Sequence, residues 1–281
     1  MLTCAGVSDG TGLEMKKFLS VFKLTWLERL AYRVNFLLEI LSGVISSLIL
    51  IFLWMAVYRS AGKEVIGGYS LQEMVTYLLG GGLINSFILT TAENPETSQS
   101  IQDGSLSNLL VKPINPYWVW FVRDLSSKTF FLVLGFVGYT VVFFFFRQHL
   151  TALPSAAHLA YLFLSILLAA LLQFFLFEFL SLLAFWVENT FGIRFVMRVV
   201  MEVAGGSIIP LSFFSGLLQT LFLALPFSFL IYLPMRIYLG KIPLEGIPWE
   251  LGKEALWIGG FALLNRVVWK RGIRQYVAMG D

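Results

Sequence analysis

Six runs of some twenty consecutive apolar residues, parted by short polar breaks, constrain this chain more than any other feature. A helix needs about 20 mostly apolar residues to cross the roughly 30 Å of a bilayer's hydrocarbon core. The first run is Val34 to Tyr58, interrupted only by Asn35, Glu39 and small residues. The second is Leu71 to Ala92, the third Thr129 to Phe146, and the fourth Ala157 to Val187, closed by Glu188-Asn189-Thr190. The fifth covers Phe195 to Phe214 and the sixth Trp249 to Trp269. The expected fold class is an all-α integral membrane protein of six transmembrane helices.

Composition supports lipid as part of the solvent. The chain is 58% hydrophobic and 13% charged, against about 45–50% and about 25% in a soluble domain. That leaves too few charges to solvate a surface of this size, and many of its 27 Phe rings should face lipid or a greasy cavity. A net charge of +3 over 281 residues gives no reason to expect a nucleic-acid partner. The single cysteine, Cys4, allows no intrachain disulfide, and His149 and His158 lack partners at metal-ligand spacing, so no metal site is expected. Residues 1–14 are polar and Gly-rich without the apolar stretch of a signal peptide. Met15-Lys16-Lys17-Phe18 reads as a natural start, so 1–14 is expected to be a disordered extension ahead of one transmembrane domain, 15–281.

Positive charge sets orientation in such a chain. With six spans and the N-terminus inside, 14 of the 20 Lys and Arg residues fall on inner segments and 6 on outer ones, which favours both termini in the cytoplasm of a bacterial cell, bounded by its inner membrane. Between the fifth and sixth runs, Ser215 to Leu239 is apolar but broken by Gly216, Pro226 and Pro234. Proline removes a backbone donor and kinks or ends a helix. Two re-entrant half-helices fit this pattern better than a seventh, kinked span. No 20–50-residue repeat is visible, so an inverted-repeat carrier lacks its usual hint.

Before the first span, Phe18, Phe22, Trp26 and Leu30 recur every four residues, with Lys17, Lys23, Glu28 and Arg29 largely off that stripe. This reads as an amphipathic interfacial helix; the alternative is a cytosolic extension of the first span. After the second span, Ile101, Leu106, Leu109 and Leu110 are roughly helically spaced around Asp103 and Gly104, with Pro113 as a stop. A short helix over Ile101 to Leu110 is expected, with an apolar edge that its own chain need not bury. Gly104 would let a partner's backbone approach closely.

The pattern Ile101-x-x-Gly104-x-Leu106-x-x-Leu109-Leu110-x-x-Pro113 resembles the loop after the second helix of ABC-2 type permeases, the membrane subunits of ATP-driven transporters. The resemblance extends over roughly Met15 to Tyr276. It takes in Pro210-Leu211-Ser212-Phe213-Phe214, the Pro226-bearing broken helices, and the basic tail Trp269-Lys270-Arg271-Gly272-Ile273-Arg274-Gln275-Tyr276. It implies that the short helix is a coupling helix docking on an ABC ATPase subunit, two copies per transporter, through Ile101, Asp103, Gly104, Leu106, Leu109 and Leu110. It further implies a second permease copy or paralogue, and export or leaflet extrusion more than import; the abundant Phe suits a hydrophobic or amphipathic substrate. No cofactor is expected on this chain: Gly240-Lys241 and Gly252-Lys253 lack the spacing and hydroxyl of a phosphate-binding loop. ATP and Mg²⁺ would be bound by the partner, and the chain is not expected to be an enzyme.

Glu178 lies deep in the fourth run among Phe174, Phe175, Phe177 and Phe179. A charge at the bilayer centre costs roughly 2.5–3.5 kcal/mol on insertion scales, so Glu178 must be neutral, paired or facing a wet cavity. Glu202 follows Arg198 by four residues, permitting an ion pair. Glu178, Arg198, Glu202, Pro210, Phe213 and Phe214 are candidates for a substrate path or gate; a clamp between helices is the structural alternative for Glu178 and Glu202. The rival functions are an autonomous secondary transporter, which should show charged relays and repeats, and a membrane-embedded enzyme, which should show a convergent polar cluster.

Overall fold

The computed structural model describes residues 10–92, 94–112 and 114–276. Most of the expected extension 1–14 and the stop at Pro113 therefore lie outside the described residues. Among the described residues the regular structure is helical apart from one two-stranded hairpin, Val65–Ile66 with Tyr69–Ser70.

Helix α1 (Gly10–Ala31) ends at Tyr32, and α2 (Arg33–Ala61) follows at once. The break separates the stripe-bearing helix from the first span. Part of the stripe packs on protein: Trp26 meets Phe130 edge-on at 5.3 Å, while Leu30 is exposed; Ser126 Oγ of a later helix donates to the Phe22 carbonyl at 2.9 Å. The hairpin turns through Gly67 and Gly68, both at positive φ, the backbone that a tight two-residue turn requires. Ser70 then caps α3 (Leu71–Ile88), exchanging hydrogen bonds with Glu73.

Short helices α4 (Glu96–Gln102) and α5 (Leu106–Leu110) precede α6 (Pro116–Phe146). Asn115 caps α6 by accepting from the Tyr117 N–H at 3.0 Å. Helix α7 (Ala156–Leu182) is capped by Ser155, and α8 (Phe191–Ala204), α9 (Gly216–Ala224), α10 (Tyr232–Tyr238) and α11 (Ile247–Gly272) complete the chain.

Helix α3 lies at the centre, its Met74, Tyr77, Leu78, Leu79 and Ile88 buried against α2, α6, α7 and α10. Its glycines permit this. A Cβ on Gly82 would lie 2.6 Å from Ser47 Oγ and 2.7 Å from Tyr139 Oη, which hydrogen-bond each other at 3.1 Å. Small residues at helix contacts are how membrane helices approach closely. Helices α7 and α11 run side by side in the same direction, with Phe185 just past α7 against Trp269 near the end of α11.

Among the described residues, four segments are long and apolar enough to cross a membrane: Leu37–Ala61, Leu71–Gln102, Pro116–His149 and Ala156–Phe185. The fifth and sixth expected spans do not qualify as single apolar helices. Helix α8 has 14 residues, about 21 Å at 1.5 Å per residue, and the rest of its run, from Gly205 to Phe214, is irregular apart from one short 3-10 turn. The run nevertheless extends from Arg194, bonded beyond the end of α3 at Asn94, to Ser212, bonded to the hairpin at Gly67. Helix α11 has 26 residues, about 39 Å, but at least three charged residues in any stretch of 18. Helix α9 and the segment Pro226–Tyr238, which contains α10, meet at 71°. Helix α9 buries no residue, whereas α10 buries Tyr232, Leu233, Met235 and Ile237.

Candidate functional site

The connection from α3 to α6 is the first place where chemistry gathers. The expected single helix Ile101 to Leu110 is two pieces, with an elbow at Asp103-Gly104. Gly104 has φ +78°, a left-handed conformation that glycine adopts without steric cost. Its carbonyl accepts from Ser107 Oγ at 2.8 Å and from Tyr276 Oη at 2.6 Å. Gly104 is buried and turns its own chain. Hydrogen bonds from Ser105 hold the exposed Asp103 carboxyl below its ordinary range.

The apolar edge is also corrected. Ile101 is 6% exposed and Leu106 0%, in one cluster with Trp120, Phe174 and Leu182. The chain buries this edge itself because α6 begins at Pro116, well before the apolar run that announced it. Its early turns bring Tyr117 and Trp120 over the elbow. Leu109 is half-buried against the same cluster. The outward face carries Gln102, Asp103, Asn108, Leu110 at 42% and Val111 at 87% exposure.

Behind the elbow lies a cavity of about 40 Å³ lined by Thr91, Asn94, Glu96, Thr97, Asp124, Gln173, Glu178 and Arg194, among others. A water needs roughly 10–15 Å³ of such space, so the cavity has room for a few. Glu178 is 5% exposed; its Oε2 accepts from Thr97 Oγ1 of α4 at 3.1 Å. Its Oε1 is buried without a hydrogen-bond partner among the described residues.

Three cations tie the surrounding helices together. Lys128 lies 2.5 Å from Asp124 and donates to the Ala170 carbonyl of α7 at 3.1 Å; Thr91 also donates to Asp124, at 2.5 Å. Arg123 pairs with Glu96 at 2.7 Å and reaches Glu28 of α1 at 4.0 Å. Arg194 of α8 donates to the Ala92 and Asn94 carbonyls and, at 3.3 Å, to Ser98 of α4. Each cation thus bridges two or more elements at the elbow end of the bundle. Buried polar contacts between helices favour one arrangement of the elements they join.

The remaining candidates lie elsewhere. Arg198 and Glu202 do pair, 3.4 Å apart on a half-exposed face of α8, but neither lines the Glu178 cavity. Phe213 packs on the hairpin end, 4.9 Å from Trp54 and 6.2 Å from Tyr69. Phe214 meets Phe222 of α9 at 5.1 Å, and Pro210 is buried ahead of a 3-10 turn. The length of α3, about 27 Å for 18 residues, separates this aromatic group from Glu178.

Sequence reading counted Lys128, Arg123 and Arg194 only as topological charges and did not single out Asp124, Gln173 or Tyr276 as site residues. A signal existed for one pair: Asp124 and Lys128 stand four apart at the mouth of an apolar run, the spacing of a helical ion pair. Nothing local in the sequence marks Arg194 or Tyr276, whose partners lie about 100 and 170 residues away.

A family model described as ABC-2 family transporter protein matches residues 44–280. No curated protein and no solved structure matches the chain at a significant level. The matched stretch holds most of α2, all later helices, the elbow and the polar cavity, well over half of the sequence. The chain therefore belongs to the ABC-2 family of transporter proteins.

Proposed function

We propose that this chain is the permease subunit of an ATP-driven transporter that exports or extrudes a hydrophobic or amphipathic substrate across a bacterial inner membrane. Two copies of a separate ABC ATPase would bind ATP and Mg²⁺, and a second permease copy or paralogue would complete the pore. Family membership supports an ATPase partner and a transport rather than enzymatic role. The observation that carries the reading is the elbow. It projects Leu110 and Val111 outward while Thr97 of the adjoining α4 is bonded to Glu178 of α7.

A load applied at that outward face would not be absorbed locally. It would pass through Thr97–Glu178 to α7, through Ser98–Arg194 to α8, and through Glu96–Arg123 to α6. These joints are short and largely buried, so the helices must shift together rather than slide past one another. The elbow, α1 and the C-terminal segment share one end of the bundle, since Glu28 meets Arg123 and Tyr276 meets Gly104. Most Lys and Arg of the expected inner segments gather there, which supports a cytoplasmic elbow and cytoplasmic termini.

Six crossings would comprise the four apolar segments, α8 with its irregular continuation, and α11. Irregular backbone is tolerated at membrane depth when protein covers it; Gly205 and Gly206 are buried, as is the stretch from Pro226 to Ile231 between α9 and α10. That burial, and the 71° bend, favour re-entrant half-helices over a seventh span. Exposed apolar faces on α2, α6 and α8, such as Leu41, Phe136 and Val199, suit lipid or the second permease.

Affinity purification of the full chain in mild detergent tests the reading. A Walker-motif ATPase should accompany it at equal stoichiometry. Recovery of a well-folded permease with no nucleotide-hydrolysing subunit, from cells that express both neighbours of its gene, would overturn it.

A further inference from the structure

The C-terminal segment is tied to the elbow by a hydrogen-bonded pin. Tyr276 Oη donates to the Gly104 carbonyl at 2.6 Å and accepts from the Ser107 N–H at 3.2 Å. Its ring meets Phe185 edge-on at 6.3 Å, and Phe185 also meets Trp269 at 5.8 Å. One tyrosine therefore fixes the elbow, the end of α7 and the end of α11 to one another.

The segment leading to this pin is sorted by side. Gly272 is buried and Ile273 packs inward on the elbow's own cluster. Lys270, Arg271, Arg274 and Gln275 are exposed, and the three cations have no ion-pair partner among the described residues. A tail that anchors in lipid needs apolar side chains directed outward; this one turns them inward. What it presents is a set of exposed cations on a segment pinned to the elbow that exposes Leu110 and Val111, and an apolar centre with a polar rim is the anatomy of a protein interface.

We propose that the ATPase-docking surface is composite, formed by the outward face of the elbow together with the segment Arg271 to Tyr276, with Tyr276 as the positioning residue that holds the two in register. The partner is an ABC ATPase whose cleft receives Leu110 and Val111 and whose rim is acidic where it meets Arg271 and Arg274. This rests on the permease reading above and adds to it a second docking element, from the opposite end of the chain. Through α11 and Phe185, docking would also bear directly on the last helix and on the end of α7.

The test uses the full chain in phosphatidylcholine nanodiscs, with and without phosphatidylglycerol, and the ATPase that purifies with it. Tyr276→Phe keeps the ring packing and removes only the hydrogen bonds, so ATPase affinity should fall about five- to tenfold, the effect of one or two hydrogen bonds. Arg271→Glu with Arg274→Glu should weaken binding at least as much in both lipids and make the remaining affinity less salt-sensitive, and Arg274→Lys should behave as wild type. Unchanged affinity in the Tyr276→Phe and double-Glu proteins, with wild type binding, overturns the composite surface and leaves the permease reading intact. A loss seen only in anionic discs makes the tail a membrane tether and also overturns it. If wild type captures no ATPase, this inference falls with the reading it rests on.

Discussion

Replacing Leu106 and replacing Leu110 should have opposite consequences, although the two residues lie one turn apart on α5. Leu106 is fully buried by this chain. Truncating such a leucine to alanine costs about 2–5 kcal/mol, and an aspartate there adds the burial of a polar group with no partner, a further ~1–3 kcal/mol or more. Against a typical total stability of about 5–15 kcal/mol, Leu106→Asp should sharply reduce the folded fraction. Leu110 is 42% exposed and Val111 87%. Changing both to aspartate removes little from the fold. It would cost docking the burial of their exposed parts, about 2–3 kcal/mol at the value of full side-chain burial, or roughly 30- to 150-fold in affinity. Size-exclusion profiles of fluorescent fusions, before and after heating, report the fold; recovery of the bound ATPase reports docking. Leu106→Asp should lose the monodisperse peak, while Leu110→Asp with Val111→Asp should keep it and lose the ATPase. A Leu106→Asp protein as heat-stable as wild type would refute the inward packing of the elbow.

Other outcomes follow from the polar network and the helix contacts. Glu178→Gln keeps an acceptor for Thr97 and should change thermal stability little, whereas Glu178→Ala should strip the joint between α4 and α7 and uncouple ATP hydrolysis from transport, read as retained hydrolysis with lost substrate efflux. Lys128→Met alone leaves Asp124 short of its cation and should destabilise by about 3–5 kcal/mol; Asp124→Leu in the same chain should recover much of the loss, measured as folded yield. Gly82→Val places side-chain atoms where Ser47 and Tyr139 now lie and should lower the thermal midpoint by more than Gly252→Val, since a Cβ on Gly252 meets nothing. Reporter fusions after Gly10 and at Asp281 should both read cytoplasm and one near Lys241 the outside; a periplasmic C-terminus would exclude six crossings.

The helical class and the first four spans were legible because long apolar runs leave no other solution in lipid. The elbow was legible as a short helical piece but not as to which way it faced. Its apolar residues look identical whether they await a partner or their own chain, and the deciding element, the early start of α6 at Pro116, lies in a stretch with Arg123, Asp124 and Lys128 that reads as loop. Those charges are helical because they neutralise one another and their neighbours, which hydropathy cannot register. Helix α8 looked like a full span because Gly205 and Gly206 interrupt an apolar run without making it polar; the helix stops there, and the freed carbonyls accept from distant donors, Gly206 from Tyr77 Oη and Gly205 from the Tyr232 N–H. Glu178 was marked by its setting among phenylalanines; one of its oxygens accepts from Thr97 and the side chain lines the polar cavity. Glu202 was marked instead by Arg198 four residues before it, and the two do pair on a half-exposed face of their helix.

The claim that this permease is driven by a separate ATPase through the elbow is tested most directly by ATP-dependent efflux from liposomes holding the purified complex. The account requires efflux with wild type, and loss of both efflux and bound ATPase with Leu110→Asp, Val111→Asp, while that permease remains folded and inserted. Undiminished ATP-driven efflux with that variant, or efflux by the wild-type permease alone without any ATPase, would contradict it.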